Sequence, residues 1–382
     1  MTNKRSIFEE VGEGEVRSAQ SIGLIDQGRR YSRKIVRIWL MSLLVLVVLL
    51  IAIGGLTRLT DSGLSITEWA PFRGVVPPLN EADWQSAFDR YKKTDEWRIQ
   101  NQWMELRDFK EIYWWEWGHR QLAKFIGIIW LIGFLGLLIR RHIPTGWAGR
   151  LALIGFLGGF QGIIGWWMVA SGLVQNSGAV DVASYRLAIH LGLAFLILGI
   201  LTWYIFSLRR EERDLIQAQR SKERLPHCFV TGLLYVTFLQ IIVGSLVAGI
   251  DAGQAYNDWP LMDGRFFPAN AFALEPLWRN LFESPGFVQF IHRVLGYILL
   301  IFGIVTWFIG YQSAHSSIRR AINLMMLVLV VQIGLGIMTV LYSAIWLSAI
   351  VHQLGAILLW LLLLRARFLA MYPVSNAIQS ST

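Results

Sequence analysis

Residues 119–140 read HRQLAKFIGIIWLIGFLGLLIR, an apolar segment that opens on a histidine and an arginine. A helix needs about 20 apolar residues to cross the hydrocarbon core of a membrane, so this segment predicts a transmembrane helix. Residues 292–311 read HRVLGYILLIFGIVTWFIGY and open on the same pair of residues. The two segments together predict an all-α membrane protein in which one helical unit occurs twice.

The rest of the composition agrees with a membrane protein. A soluble domain averages about 25% charged residues, whereas this chain of 382 residues has 16%. Eight apolar runs are long enough to span a membrane, and 18 tryptophans suit its two interfaces. The predicted spans are residues 35–57, 119–140, 149–171, 185–208, 228–250, 287–311, 318–342 and 345–368.

Basic residues predict how the spans are oriented. If the eight spans alternate, the basic clusters at residues 29–37, 140–150, 209–224, 319–320 and 365–367 all fall on one side. The positive-inside rule makes that side the cytoplasm, so we expect both termini to be cytoplasmic. Clusters placed beside apolar runs indicate membrane anchoring, so the net charge of +9 does not predict nucleic-acid binding. Acidic residues near the N-terminus argue against a mitochondrial transit peptide, and a bacterial inner membrane fits.

Four landmarks recur in the same order along the chain. They are Asp61-Ser-Gly63 before Trp69 and Asp251-Ala-Gly253 before Trp259, His119-Arg120 and His292-Arg293, Gln161-Gly-Ile-Ile-Gly165 and Gln332-Ile-Gly-Leu-Gly336, and His190 and His352. An even number of spans per unit gives both copies the same orientation, so we predict a parallel repeat of two four-helix bundles. The predicted parts are a cytoplasmic segment 1–34, an N-terminal half 35–208 with an outer loop 58–118, a cytoplasmic linker 209–227, a C-terminal half 228–368 and a cytoplasmic tail 369–382.

The seven histidines fall into two groups. Three lie in or beside the cytoplasmic connections, where a solvated imidazole needs no special role. The other four are predicted near one depth, toward the outer face of the membrane. They form one pair per half, namely His119 with His190 and His292 with His352. Ionisable groups inside a membrane tend to be functional, although a single histidine there can simply bond to a neighbouring helix.

Two pairs at one depth favour haem ligation. Facing helices of a bundle commonly carry paired ligands, and neutral imidazole is a good ligand of haem iron. Zinc is less favoured, because neither pair has a nearby cysteine or second carboxylate. The single cysteine, Cys228, excludes an internal disulfide and is expected to be a buried thiol without a role.

Polar residues next to the histidines complete the candidate site. Arg120, Arg186 and Arg293 are candidate ligands of haem propionates, although anchoring of the helix ends would also explain them. Glu116 precedes His119 by one helical turn and is a candidate general base, whereas the equivalent position in the second half is the uncharged Gln289. A surface charge is the alternative for Glu116. The two halves therefore differ where a reactive site and a cofactor site would differ.

These residues resemble a known family. Residues 54–65 (GGLTRLTDSGLS), Trp115-Glu-Trp-Gly-His-Arg120, residues 256–262 (YNDWPLM) and the four histidines are together similar to haem A synthases over nearly the whole chain beyond residue 35. The resemblance implies an oxidoreductase that converts the C8 methyl group of haem O into the formyl group of haem A, for terminal oxidases. Some members carry a cysteine pair in the first outer loop. This chain has none, so it resembles the cysteine-free class of alphaproteobacteria and mitochondria.

The resemblance also implies a division of roles. His292 and His352 would hold a haem b cofactor, His119 and His190 would hold the substrate haem, and Glu116 matches the catalytic carboxylate of the family. The implied partners are haem O, membrane lipid, an unidentified electron acceptor and the haem O synthase that supplies the substrate. An oligomer is compatible with the sequence.

Two other classes of protein compete with this interpretation. An electron-transfer cytochrome b with two bis-histidine haems would carry the same histidines, although the difference between Glu116 and Gln289 would then have no purpose. A transporter would explain the internal repeat. However, the spans lack the paired proline-broken helices expected at a midplane binding site.

Overall fold

The computed structural model describes residues 24–70 and 73–374. Within these ranges the chain is folded into helices, a few 3-10 turns and connecting loops, without a β-strand. The predictions for residues 1–23 and 375–382 lie outside the described residues. The helices are α1 (Leu24–Leu59), α2 (Glu81–Tyr91), α3 (Asp95–Ile99), α4 (Leu106–Ile139), α5 (Ala148–Gly172), α6 (Ser184–Arg209), α7 (Glu212–Arg220), α8 (Arg224–Gly249), α9 (Asn280–Glu283), α10 (Pro285–Tyr311), α11 (Ser316–Leu341) and α12 (Trp346–Met371).

Eight of the described helices are long and apolar enough to cross a membrane. They are α1, α4, α5, α6, α8, α10, α11 and α12, and each contains one of the eight apolar runs except for at most one terminal residue of the run. The prediction of an all-α protein with eight membrane-spanning helices is therefore confirmed. The remaining helices are short and lie in the connections, including α7 in the linker between the halves.

The eight spanning helices pack as two rings of four. In the first half, α1 contacts α4, α4 contacts α5, α5 contacts α6, and α6 returns to α1. In the second half, α8, α10, α11 and α12 contact one another in the same cyclic order. Contacts of α6 with α8 and of α1 with α12 join the rings. This packing is consistent with the predicted repeat of a four-helix unit.

Side chains from both halves form the interface between the rings. The indole nitrogen of Trp360 donates a hydrogen bond to the backbone carbonyl of Phe195, at 3.1 Å, and both side chains are buried. At the end of α1, the largely buried guanidinium of Arg58 pairs with Asp61 (2.6 Å), Asp251 (2.8 Å) and Asp181 (3.4 Å). One cation therefore joins the connections of both halves at the side where the outer loops lie.

The outer loop 58–118 is folded over this side. Helix α2 begins after Asn80, whose side chain accepts a hydrogen bond from the backbone N–H of Asp83. Such a cap satisfies a helix donor that would otherwise have no partner. The loop has its own small core of buried aromatic and apolar side chains, namely Trp84, Phe88, Tyr91, Met104, Phe109 and Tyr113.

Two expectations from the sequence require correction. Helix α4 begins at Leu106 rather than near His119, and its first turns pack against α2 through Phe109 and Tyr113. Consequently Glu116 and His119 lie on one continuous helix. The thiol of Cys228 is exposed rather than buried, because it lies on the face of α8 that points away from the bundle.

Candidate functional site

The histidine pair of the second half has the spacing of two ligands of one metal ion. The ring centroids of His292 on α10 and His352 on α12 are 6.4 Å apart. Metal–imidazole bonds of about 2 Å on opposite sides of one ion place the two ring centroids roughly 6 Å apart. Haem iron accepts two imidazoles in this way. The residues that are present therefore fit a bis-histidine haem.

All four histidine rings lie against a glycine of a neighbouring helix. A Cβ atom added at Gly54 would lie 2.7 Å from Cε1 of His119, and the other three contacts are as close. They are Gly165 with His190 (2.9 Å), Gly244 with His292 (3.0 Å) and Gly336 with His352 (2.9 Å). The first half therefore repeats the environment of the second-half pair.

Glutamines hold three of the four histidines. In each case the side-chain amide donates to the histidine's own backbone carbonyl and lies 3.2 or 3.3 Å from one ring nitrogen. The bonds to the carbonyls run from Gln161 to His190 (2.9 Å), from Gln240 to His292 (3.0 Å) and from Gln332 to His352 (2.8 Å). Each of these glutamines therefore holds its histidine through the backbone carbonyl and lies in contact with the imidazole ring.

The glycine contacts give a test with a control on the same helix. Replacing Gly336 with Ala should displace the His352 ring, because the new methyl group would lie 2.9 Å from Cε1. We expect the content of bound haem to fall at least about tenfold, as when a ligand loses its support. The matched control is Gly334→Ala, since a Cβ there meets no atom within 4 Å. Haem per protein, from the absorbance of the purified chains, decides the result. Equal haem in both variants would contradict the contact.

Glu116 is a buried acidic group of the first half that lies on the same helix as His119. Only 3% of the residue is exposed, which excludes the alternative of a surface charge. One carboxylate oxygen accepts hydrogen bonds from the hydroxyl of Ser65 and the backbone N–H of Ile66, both at 2.7 Å. The other oxygen pairs with the guanidinium of Arg120, with Nε at 3.0 Å. A charge-assisted pair of this kind stabilises the ionised carboxylate and fixes its direction.

The equivalent position in the second half carries no charge. Gln289 is also buried, and its amide donates to the backbone carbonyl of Tyr256 at 3.0 Å. Arg293, which matches Arg120 of the first half, donates to the carbonyls of Tyr256, Asp258 and Leu261. The two halves therefore share the histidines and the arginine, and they differ in the carboxylate.

The three arginines bind to the protein itself. Arg120 bonds to Glu116 and to loop carbonyls, and Arg293 bonds to the carbonyls described above. Arg186 donates to the carbonyl of Trp167 at 2.7 Å and lies 4.5 Å above the centroid of its ring. These bonds position the guanidinium groups, and contact with propionates remains a prediction.

Two polar features were missed in the sequence. Gln240 stands one turn before Gly244, the spacing that also separates Gln161 from Gly165. A search for this spacing would have found it. Glu96 in α3 is 2% exposed, and burial raises the pKa of its carboxyl to about 8, so that it is mostly protonated at neutral pH. No sequence signal separates Glu96 from the exposed charges around it.

Comparison with known proteins identifies the family. The family described as "Cytochrome oxidase assembly protein" matches residues 37–364. A protein of Ruegeria pomeroyi named "Heme A synthase" is 58% identical over 99% of this chain and 100% of its own length. Proteins of the same name from Roseobacter denitrificans and Dinoroseobacter shibae are 56% and 55% identical, and each alignment covers 100% of both chains. This chain belongs to the haem A synthase family.

Proposed function

We propose that this chain oxidises the C8 methyl group of haem O to a formyl group and so makes haem A for terminal oxidases. The observation that carries the proposal is the difference between the halves. Both halves have a histidine pair packed against glycines, but only the first has a buried carboxylate one turn from a histidine. Full-length similarity to proteins named "Heme A synthase" supports the same reaction.

The two histidine pairs would have different roles. His292 and His352 would hold haem b as a resident cofactor, and the 6.4 Å between their rings supports this assignment. His119 and His190 would hold the substrate haem beside Glu116. Haem iron supplies the redox chemistry when bound, and the protein supplies ligation, orientation and electrostatics.

Glu116 would accept protons during the oxidation. Overall, one methyl group and one water molecule give one formyl group, four protons and four electrons, and the electrons pass to the electron acceptor. Arg120, Ser65 and the backbone N–H of Ile66 hold the carboxylate in one direction. A base that is already oriented does not need to reorganise during the reaction. Burial at 3% exposure keeps bulk water away from it.

The location follows from the charges and the spans. Eight candidate spans make this a multi-pass membrane protein. We propose the bacterial inner membrane, cytoplasmic termini, and haem sites toward the periplasmic side, because the basic clusters between spans lie on the opposite side. We also propose the division into residues 1–34, 35–208, 209–227, 228–368 and 369–382. Haem O synthase is a proposed partner, since it makes the substrate, and oligomerisation is compatible with the chain.

Production of haem A by cells tests the proposed function. The chain is expressed with haem O synthase in a host that lacks haem A, and the membrane haems are extracted and separated by chromatography. We expect haem A, or its hydroxymethyl precursor, only when both proteins are present. If the chain binds haem b while haem O stays unchanged, the reaction is wrong. The equivalent environments of the two histidine pairs would then favour an electron-transfer cytochrome b.

A further inference from the structure

His119 differs from the other three histidines in one respect. Each of the others is bonded by a glutamine that stands one turn before the glycine beneath the ring. Gly54 lies beneath His119, and the residue one turn before it is Leu50. Residues four apart on a helix share a face, so Leu50 stands where Gln240 stands in the second half. A leucine side chain has neither a donor nor an acceptor.

The surroundings of His119 do not replace the missing glutamine. Among the described residues, its buried Nδ1 atom has no hydrogen-bond partner, and the same holds for Nδ1 of His292, whose other ring nitrogen lies 3.3 Å from the amide of Gln240. Glu116 is one turn away on α4, but its oxygens are bonded to Arg120, Ser65 and Ile66. The ring is therefore positioned by its packing against Gly54 and by its own helix.

We propose that His119 is the exchangeable iron ligand of the first half, and that Leu50 is the residue that makes it exchangeable. This inference rests on the proposed binding of the substrate haem by His119 and His190. Loss of a supporting hydrogen bond typically lowers the affinity of a metal ligand about 10- to 100-fold. Gln161 supports His190, so the iron keeps one firm ligand when His119 leaves.

The asymmetry suits the two roles of the halves. A resident cofactor has to stay in place, and Gln240 and Gln332 support both of its ligands. A substrate haem has to enter and its product has to leave, which one weak ligand makes easier. The position that His119 vacates lies on the side of α4 near Glu116, because the two residues are one turn apart.

Carbon monoxide binding measures how readily a haem ligand is displaced. The full-length purified chain is loaded with iron protoporphyrin IX as a probe for the first half, reduced, and titrated with carbon monoxide. In the unmodified chain we expect the added haem to bind carbon monoxide and the resident haem not to react. Leu50→Gln should weaken binding to the added haem at least about tenfold. Leu49→Gln is the matched control, because Leu49 is adjacent on α1 and exposed.

The reciprocal variant tests the same idea in the other half. Gln240→Leu gives His292 the environment of His119, so the resident haem should become reactive toward carbon monoxide without any added haem. The absorbance of the resident haem reports that the Leu50 and Leu49 variants are folded. Carbon monoxide affinity that is unchanged by both Leu50→Gln and Gln240→Leu would overturn the inference alone. If the unmodified chain bound no second haem, the proposed substrate site would fail, and this inference with it.

Discussion

Replacing Glu116 with Gln is expected to lower haem A production at least about 100-fold, the usual contribution of a positioned general base. The variant keeps the size of the side chain and removes the charge that pairs with Arg120. It also gives the first half the residue type that the second half has at Gln289. The measurement is haem A per unit of chain, from chromatography of haems extracted from cells that also contain haem O synthase.

Two comparisons show whether the loss is chemical or structural. Glu116→Gln should retain its resident haem, because His292 and His352 lie in the other half. Glu116→Asp should keep part of the activity, since the charge remains but the carboxylate is withdrawn by one methylene group from Ser65 and Arg120. Haem A production by Glu116→Gln at the level of the unmodified chain would refute the catalytic role of this carboxylate.

Removing either histidine of the second half should remove the resident haem. We expect His292→Ala and His352→Ala to lower bound haem at least about tenfold in chains purified without added haem, because loss of a ligand costs at least as much as loss of its support. His119→Ala and His190→Ala should retain that haem and lose haem A production. Absorbance spectra of the four purified variants measure the first effect, and extraction of membrane haems measures the second.

A fifth variant serves as the control for histidine loss. His142 lies in the connection between α4 and α5, where its ring packs edge-on against Tyr31 with 5.6 Å between the ring centroids. His142→Ala should therefore leave both haem content and haem A production unchanged. If His119→Ala lost the resident haem as completely as His292→Ala, the assignment of separate roles to the two halves would be wrong.

Much of the candidate site followed from local sequence. Apolar length predicts a span because every buried backbone group in a membrane has to be satisfied within a helix. The repeated landmarks match His119 to His292 and His190 to His352. They also show that Glu116 and Gln289 occupy equivalent positions in the two halves. These features depend on spacing along one helix, which the sequence contains in full.

The contacts of the other polar residues were harder to predict from the sequence. Arg120 was a candidate for a propionate, and the structure pairs it with Glu116. In the sequence, Glu96 is not distinguished from the other charged residues of the outer loop. In the structure, its side chain is buried within that loop. The Glu116–Arg120 pair has the four-residue spacing of neighbours on one helix, so the sequence allowed it, whereas the burial of Glu96 depends on loop packing that no periodic pattern shows.

The sequence by itself therefore determined the number of spans, the predicted repeat of a unit of four helices, and the four candidate histidines. Each of these is a local or repeated pattern. Only the tertiary structure decided which side chains meet across helices. The contact of Gly54 with His119, the bonds of Gln161, Gln240 and Gln332, and the bridge from Arg58 to Asp251 are of this kind. They depend on how each helix is rotated and how closely its backbone approaches the next, and those quantities are set by the packing of the whole bundle.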